Sequence, residues 1–490
     1  MFPLAAHAGS FSLSEQSVSS LGSAFAGAAS EASDASVMFF NPAGIVLLDQ
    51  GELQLGGHLI APSATFSNQG SRYSLPGTPF DGAPLRGGNG GDASVFATLP
   101  NFYLTQPVFR KGRYGDLSVG VGVSVPFGLQ TNYDAGWVGR YQALRTKLTT
   151  FDIQPTVAYR LFDRLSLGAS LDIQYASARL TQAIDFGLAA QPLLGPFYAR
   201  VPAQFRGATQ LAYANAGFVP GGRDGVSEVT GDDWSLGYTL GALLEYKKGG
   251  EDGFFQDGHL GASFRSGVDH VLEGRGDFRR VPVITAAGAP AQFPVPNAFQ
   301  GVFFAQDASA KLDLPEIVHV SVYQRFAQRF AIMGDVTWTH WSRLQTVPIV
   351  FSNPGTPASV LQINYDDATR YAVGFEWAAT KRLTLRTGFA YDETPIRSEQ
   401  FRTPRIPDND RYFLSAGARW TATSWMDLDV GYAHLFVNDP STNLIDNQGH
   451  NLRGTYEASV DILSAAVTLR WGGPRETPQF SGKDSAVYRK

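Results

Sequence analysis

The sequence predicts an all-β chain, a 14-stranded antiparallel transmembrane β-barrel with a small N-terminal hatch (plug) inside its lumen. Three observations predict it. Large apolar residues alternate with small or polar ones through many short segments. The connections between those segments alternate between compact turns and long loops. No apolar run reaches the roughly 18–20 residues of a membrane helix, and "AGIVLL" (Ala43–Leu48) is among the longest. A chain that crosses a membrane without such helices must close a barrel to satisfy its backbone.

The alternation is plain in "DLSVGVGVSV", where Leu117, Val119, Val121, Val123 and Val125 share one face and Ser118, Gly120, Gly122 and Ser124 the other. "RLSLGASLDIQYA" sets Leu165, Leu167, Ala169, Leu171, Ile173 and Tyr175 against Ser166, Gly168, Ser170, Asp172 and Gln174. "RYAVGFEWA" sets Tyr371, Val373, Phe375 and Trp377 against Gly374 and Glu376. Aromatics close several strands, as an interfacial girdle requires, and the second face carries the Gly, Ser, Asp, Gln, Arg and Glu of a lumen.

Fourteen strands begin near Leu53, Ala97, Asp116, Thr146, Arg164, Trp234, His259, Pro315, Ala331, Asp367, Leu383, Arg411, Met426 and Ala458. Turns such as "RKGRYG", "LFDR", "FAQR" and "TATSW" alternate with long segments around 65–95, 128–145, 181–233, 278–312, 343–365, 392–410 and 437–457. Sorting of this kind marks an outer-membrane barrel, and fourteen is an acceptable even number. A soluble sandwich has no reason for it. The count places both termini on the short-turn rim, which makes them periplasmic.

Four segments follow. Residues 1–8 read as a signal-peptide remnant ending in the small-x-small triplet Ala6-His7-Ala8. Residues 9–50, rich in Ser, Ala and Gly, form the hatch, since small side chains let a folded segment enter a lumen of this width. Residues 51–471 form the barrel and 472–490 a polar tail.

Composition excludes several functions. The 490 residues carry a net charge of −5 without charge runs, which gives no support for nucleic-acid binding. Cysteine is absent, so disulfides and thiolate metal sites are excluded. There is no phosphate loop, no G-x-S-x-G and no H-E-x-x-H, so no catalytic residue, metal or cofactor is expected. The loops are instead greasy ("AAQPLLGPFYARVPAQF", "FPVPNAFQGVFF"), as a hydrophobic capture surface would be. A hydrophilic porin, an outer-membrane barrel enzyme and a soluble all-β protein are the rival readings. The first needs a charged constriction without a hatch, the second a clustered Ser/His or Asp/His set, and the third solubility without detergent.

A set of short segments then carries a resemblance: "GSFSL" at the start of the hatch, "NPAG" at Asn41–Gly44, "PFGLQTNY…WVGRY" at Pro126–Tyr141 and "LDLPE" at Leu312–Glu316. "TWTHWS" at Thr337–Ser342, "DETPI…RIPDNDRYFLSAG" at Asp392–Gly417 and "GYAHLFVND" at Gly431–Asp439 complete it. In this order, from about Phe11 to Trp471, they resemble the FadL-type long-chain fatty-acid and toluene-transporter channels of Gram-negative outer membranes.

That resemblance implies a monomeric channel among outer-membrane lipid and lipopolysaccharide, passively admitting fatty acids or hydrocarbons. It implies capture by extracellular loops, an internal pocket helped shut by Phe11, and lateral release through a gap at a kinked third strand. It also places Asn41, Pro42 and Ala43 against that kink, at Pro126, Phe127 and Gly128. The chemistry agrees: Pro126 lacks a ladder donor and Gly128 loosens the strand, so backbone groups need internal partners, and a side-chain amide offers both a donor and an acceptor. Pro42 stiffens Asn41 before it. One departure stands out. The basic positions that meet a carboxylate in the fatty-acid channels align with Gln182 and Leu361, neither of them basic. Arg179 and Arg386, with Arg343 and Arg419, are the possible replacements, and uncharged hydrocarbons are the alternative cargo.

Overall fold

The computed structural model describes residues 10–112, 115–248, 253–284 and 299–472. The expected leader remnant at 1–8, the tail beyond Gly472 and the Pro-rich stretch 285–298 lie outside the described residues.

Fourteen antiparallel wall strands close into a barrel. In chain order they are β1 (Gly51–Asn68), β2 (Ala97–Gly112), β3 (Gly115–Ser124 and Gly128–Asn132), β4 (Arg145–Phe162) and β5 (Leu165–Asp185). Then come β6 (Asp224–Lys247), β7 (Phe255–Arg265 and Val268–Arg279), β8 (Gln306–Leu314 and Ile317–Phe326), β9 (Phe330–Thr339 and Thr346–Phe351) and β10 (Ser359–Gln362 and Ala368–Ala378). β11 (Leu383–Asp392), β12 (Arg411–Thr423), β13 (Met426–Val437) and β14 (His450–Trp471) complete the wall. An unbroken ladder from Gly51↔Trp471 to Asn68↔Gly454 joins the last strand to the first and leaves no free edge there.

The outer face is apolar in the middle, with Leu236 64% and Val373 59% exposed, as lipid-facing residues are. Aromatic rows bound this belt. Phe151, Tyr175 and Trp234 stack side by side toward the long-loop rim, and Phe326, Phe330 and Phe375 do so toward the short turns.

Several strands run further toward the long-loop rim than the sequence reading placed them. Parts of the expected loops at 128–145, 181–233, 278–312, 343–365 and 437–457 are wall. The cause lies in the environment. In Gln306–Leu314 the apolar residues Ala308, Leu312 and Leu314 are buried, while Asp307 and Lys311 are exposed. Beyond the lipid belt the strand faces water outside and a greasy lumen inside, so the pattern inverts. The loop between β5 and β6 also folds, into helices α3 (Phe186–Ala189), α4 (Gln191–Arg200) and α5 (Ala203–Asn215). There Phe186, Phe197, Tyr213 and Phe218 are buried with Phe299, while Phe205 and Leu211 stay exposed.

The hatch fills the lower lumen with two single-turn helices, α1 (Val18–Leu21) and α2 (Val37–Phe40), and a 3₁₀ turn at Pro42–Leu47. Its backbone lies directly on wall glycines. A Cβ on Gly388 would sit 2.1 Å from the Ser23 carbonyl carbon, and one on Gly168 2.3 Å from Ala43 N. Small residues are thus required on both sides of the contact. Charge completes the seat. Arg386 donates to Glu376 (2.9 Å), Asp429 and hatch residue Glu31 (both 3.4 Å). Arg419 holds Asp429 (2.8 Å) and hatch residue Asp34. Burial alone would raise the Asp34 carboxyl, but Arg419 and the Ser36 and Ser19 hydroxyls outweigh it and hold it below the usual carboxylate range.

Candidate functional site

The third strand breaks where the sequence places a proline. Pairing of β2 with β3 ends at Phe102↔Val123. On the other side, β3 pairs with β4 at Ser124↔Asp152 and resumes at Gly128↔Thr149. Val125, Pro126 and Phe127 therefore bulge from the wall, and their backbone groups need other partners.

The first hatch residues supply them. Leu13 N donates to Pro126 O (2.8 Å), and Gly128 N donates to Phe11 O (2.9 Å). The Gln16 amide makes both bonds to one residue: its Nε2 donates to Val125 O (2.6 Å) and its Oε1 accepts from Val125 N (3.1 Å). Thr150 serves Phe127, accepting from its N at 3.0 Å. Residues 10–16 thus act as an extra strand-like arm on the kink. Ser10 pins the start of the arm, donating from N to Asp408 (3.0 Å) and from Oγ to Tyr365 (2.8 Å).

The amide at the kink is therefore that of Gln16, not Asn41. Asn41 Nδ2 donates to Ala29 O (2.7 Å) and to Ala242 O of β6 (2.9 Å), while its Oδ1 accepts from Ala43 N (3.1 Å). Pro42 and Ala43 lie over Gly168 of β5. The elbow ties the hatch to itself and to the wall at β5 and β6. Its proline sets the first position of the 3₁₀ turn, where no N–H is needed.

Above the arm lies a cavity of about 320 Å³, within the range of small-molecule sites. Phe11 forms part of its wall, beside Leu148, Leu180, Val229, Leu272, Leu312, Val347 and Ile406. The Phe11 ring meets Trp341 edge-on at 4.7 Å and Phe127 at 6.1 Å, so arm, kink and pocket share one aromatic contact.

Two charged groups here lack the partners that the lower lumen provides. Arg405 is 3% exposed. It donates to Thr146 Oγ1 (3.1 Å) and Gln182 Oε1 (2.7 Å), while its Nε has no partner. Among the described residues no carboxylate pairs with it, and burial pulls its guanidinium down to about 10. In the arm, neither carboxylate oxygen of Glu15 has a hydrogen-bond partner. Burial pushes that carboxyl up to about 7, against the pull of Arg411 and Arg370.

The arginines expected to meet a substrate carboxylate lie elsewhere. Arg179 is on the outer face, paired with Glu228 at 2.6 Å. Arg386 and Arg419 hold the hatch, and Arg343 is engaged with Glu316 (2.7 Å) and Asp269 (2.5 Å). Leu361 and Gln182 do line the pocket. Sequence reasoning missed Arg405 and Gln16. The signal for Arg405 was an arginine set between two prolines, in "TPRIPD", without an adjacent acid. For Gln16 it was an amide five residues after Phe11.

Known proteins are similar to this chain in sequence and fold. The long-chain fatty acid transport protein of Salmonella typhi is 28% identical over 430 residues, covering 87% of each chain. A Pseudomonas aeruginosa FadL homologue superimposes with a TM-score of 0.75 at 24% identity, covering 94% of this chain and 100% of that one. The Pseudomonas putida toluene transporter TodX gives a TM-score of 0.60 at 14% identity, covering 90% and 95%. The family model described as outer membrane protein transport protein (OMPP1/FadL/TodX) matches residues 3–471, and the chain belongs to that family of outer-membrane channels.

Proposed function

We propose that this channel takes up long-chain fatty acids, held in the 320 Å³ pocket with the carboxylate on Arg405. Release follows sideways through the wall at the β3 kink once residues 10–16 withdraw. The observation that carries the reading is the buried Arg405 guanidinium, with a free Nε and no acidic partner among the described residues, facing an apolar cavity. A buried charge without a counter-charge is costly. A substrate carboxylate supplies that counter-charge with charge-assisted hydrogen bonds, whereas a hydrocarbon leaves the charge unmatched. Arg405 also donates to Gln182, the position where a basic residue was expected and not found. A cation returns to that place from another loop.

In this reading the short-turn rim, where Gly51 and Trp471 pair, faces the periplasm. The channel works as a monomer among phospholipid and lipopolysaccharide, and carries out no chemistry on its cargo. Hydrocarbon transport is the second reading, favoured by the apolar lining alone.

The test is uptake of labelled oleate and labelled toluene by a bacterium that lacks its own fatty-acid channel and expresses this one. Oleate uptake should fall about tenfold or more in Arg405→Gln and recover partly in Arg405→Lys, with toluene entry unchanged. Toluene uptake without oleate uptake, or full oleate uptake by Arg405→Gln at equal surface abundance, would sink the assignment.

A further inference from the structure

The outer face of the barrel carries a second feature that transport does not use. Along β4 the lipid-side residues are Phe151, Thr149, Lys147 and Arg145, read toward the long-loop rim. Phe151 lies in the aromatic row with Tyr175 and Trp234, its ring 5.3 Å from each. Four residues further along, Lys147 stands directly opposite Arg179 of β5. Like charges facing each other across a strand pair are destabilising. Among the described residues Lys147 has no carboxylate partner, and Arg145 Nε has no hydrogen-bond partner. On the same face Glu228 serves Arg179 (2.6 Å) and Arg279 (3.1 Å), and Asp277 stands directly opposite it. Arg179 and Arg279 thus share one carboxylate, and Lys147 has none among the described residues. Arg275 on β7 is matched by Asp277 at 3.2 Å. One row nearer the belt, Asp232 faces Glu273, so the cationic surface ends at β6.

The height of the patch identifies its partner. Four residues at about 3.3 Å each place Lys147 roughly 13 Å along the strand from the aromatic row. With a strand tilt of about 35–45°, that is roughly 10 Å above the ring level. Aromatic rows mark the boundary of the hydrocarbon, so the cations stand where headgroup phosphates do. The patch lies on the long-loop side, which is the outer leaflet. There the abundant phosphate-bearing lipid of an outer membrane is a glycolipid.

We propose that Arg145, Lys147 and Arg179 hold a phosphate group of lipid A, the lipid anchor of lipopolysaccharide, on the outer face of β4 and β5. The phosphate lies between Lys147 and Arg179 and replaces their mutual repulsion with two charge-assisted contacts. The site adjoins the kink, since Lys147 pairs with Gln130 just beyond it. The assignment uses the orientation argued above but not the nature of the cargo, and its readout is binding, not uptake.

The experiment is native mass spectrometry of the detergent-extracted channel, titrated with bis-phosphorylated lipid A, fully dephosphorylated lipid A or phosphatidylglycerol. The intact protein should retain bis-phosphorylated lipid A selectively. The double variant Lys147→Gln/Arg179→Gln should lose roughly 10–30-fold in affinity. Lys147→Arg/Arg179→Lys should keep it, and Lys381→Gln, on a short turn at the other rim, should change nothing. Unaltered gel mobility before and after heating reports that each variant is folded. Equal binding of the dephosphorylated lipid or of phosphatidylglycerol, or no loss in the double variant, would overturn the proposal.

Discussion

The body of the hatch, residues 17–48, and its arm, residues 10–16, belong to one continuous segment but are held by different physics. The body sits backbone-to-backbone on wall glycines, Arg419 pairs with its Asp34, and Arg386 reaches its Glu31 at 3.4 Å. The arm is held by backbone bonds to a wall irregularity, the Gln16 amide, the Ser10 bonds to Asp408 and Tyr365 and the Phe11 ring contacts, and it carries Glu15 without a hydrogen-bond partner. Buried ion pairs are costly to break from one side. The arm's few hydrogen bonds, all but the one to Asp408 neutral, are less so, at net values of about 0.5–1.5 kcal/mol for each neutral bond. The difference teaches that the body is the more firmly held part of the hatch and the arm the more readily released one.

The largest effect should come from breaking the body. Arg419→Met strands Asp34 in the lumen and leaves Asp429 only Arg386 at 3.4 Å, a loss of about 3–5 kcal/mol from the hatch seat. The hatch should then be cut by trypsin added from the short-turn side, while the barrel stays resistant. An equally protected hatch would mean that glycine contact alone holds the body.

The arm can be strengthened where the body cannot. The Glu15 carboxyl is raised to about 7 in the folded chain, from an ordinary value of 4.5. A raised acid favours the seated arm below pH 4.5, and that contribution is lost as pH rises through 7. Glu15→Gln removes the dependence and should seat the arm more firmly by about 1–3 kcal/mol at pH 8, with no difference below pH 4.5. Oleate uptake should slow in the variant at pH 8 and match the parent at low pH. The same slowing at every pH would show that Glu15 acts through packing alone.

How much of this was legible in the sequence follows the same division. The wall was readable because lipid outside and lumen inside impose a period of two, so Leu167 to Tyr175 declared a strand without any other information. Beyond the belt the polarity inverts, and Gln306–Leu314 looked like loop. The glycine-on-backbone seat was half legible. The small residues of the hatch showed, but the matching wall positions Gly388 and Gly168 looked like ordinary strand glycines. For the gate, the sequence specified the need, an amide opposite a proline kink, but not the donor. Gln16 and Asn41 offer the same chemistry, and only the path of the chain through the lumen separates them.

The smaller tests use that pair. Gln16→Leu leaves Val125 N and O unpaired at the kink, about 1–3 kcal/mol for each group that water does not reach. The arm should release more readily, and a small hydrophobic dye should enter faster than in the parent. Asn41→Ala removes bonds to Ala29 and Ala242 far along the chain from the arm, at a net cost of about 1–2 kcal/mol. The barrel should keep its fold, and oleate uptake should fall only severalfold, because the elbow shifts on β6 while the arm still covers the kink. If Asn41→Ala instead speeds dye entry as Gln16→Leu does, elbow and arm move as one body and the division between them fails. If it leaves both dye and oleate unchanged at equal surface abundance, the elbow only anchors the hatch, and the arm alone is the gate.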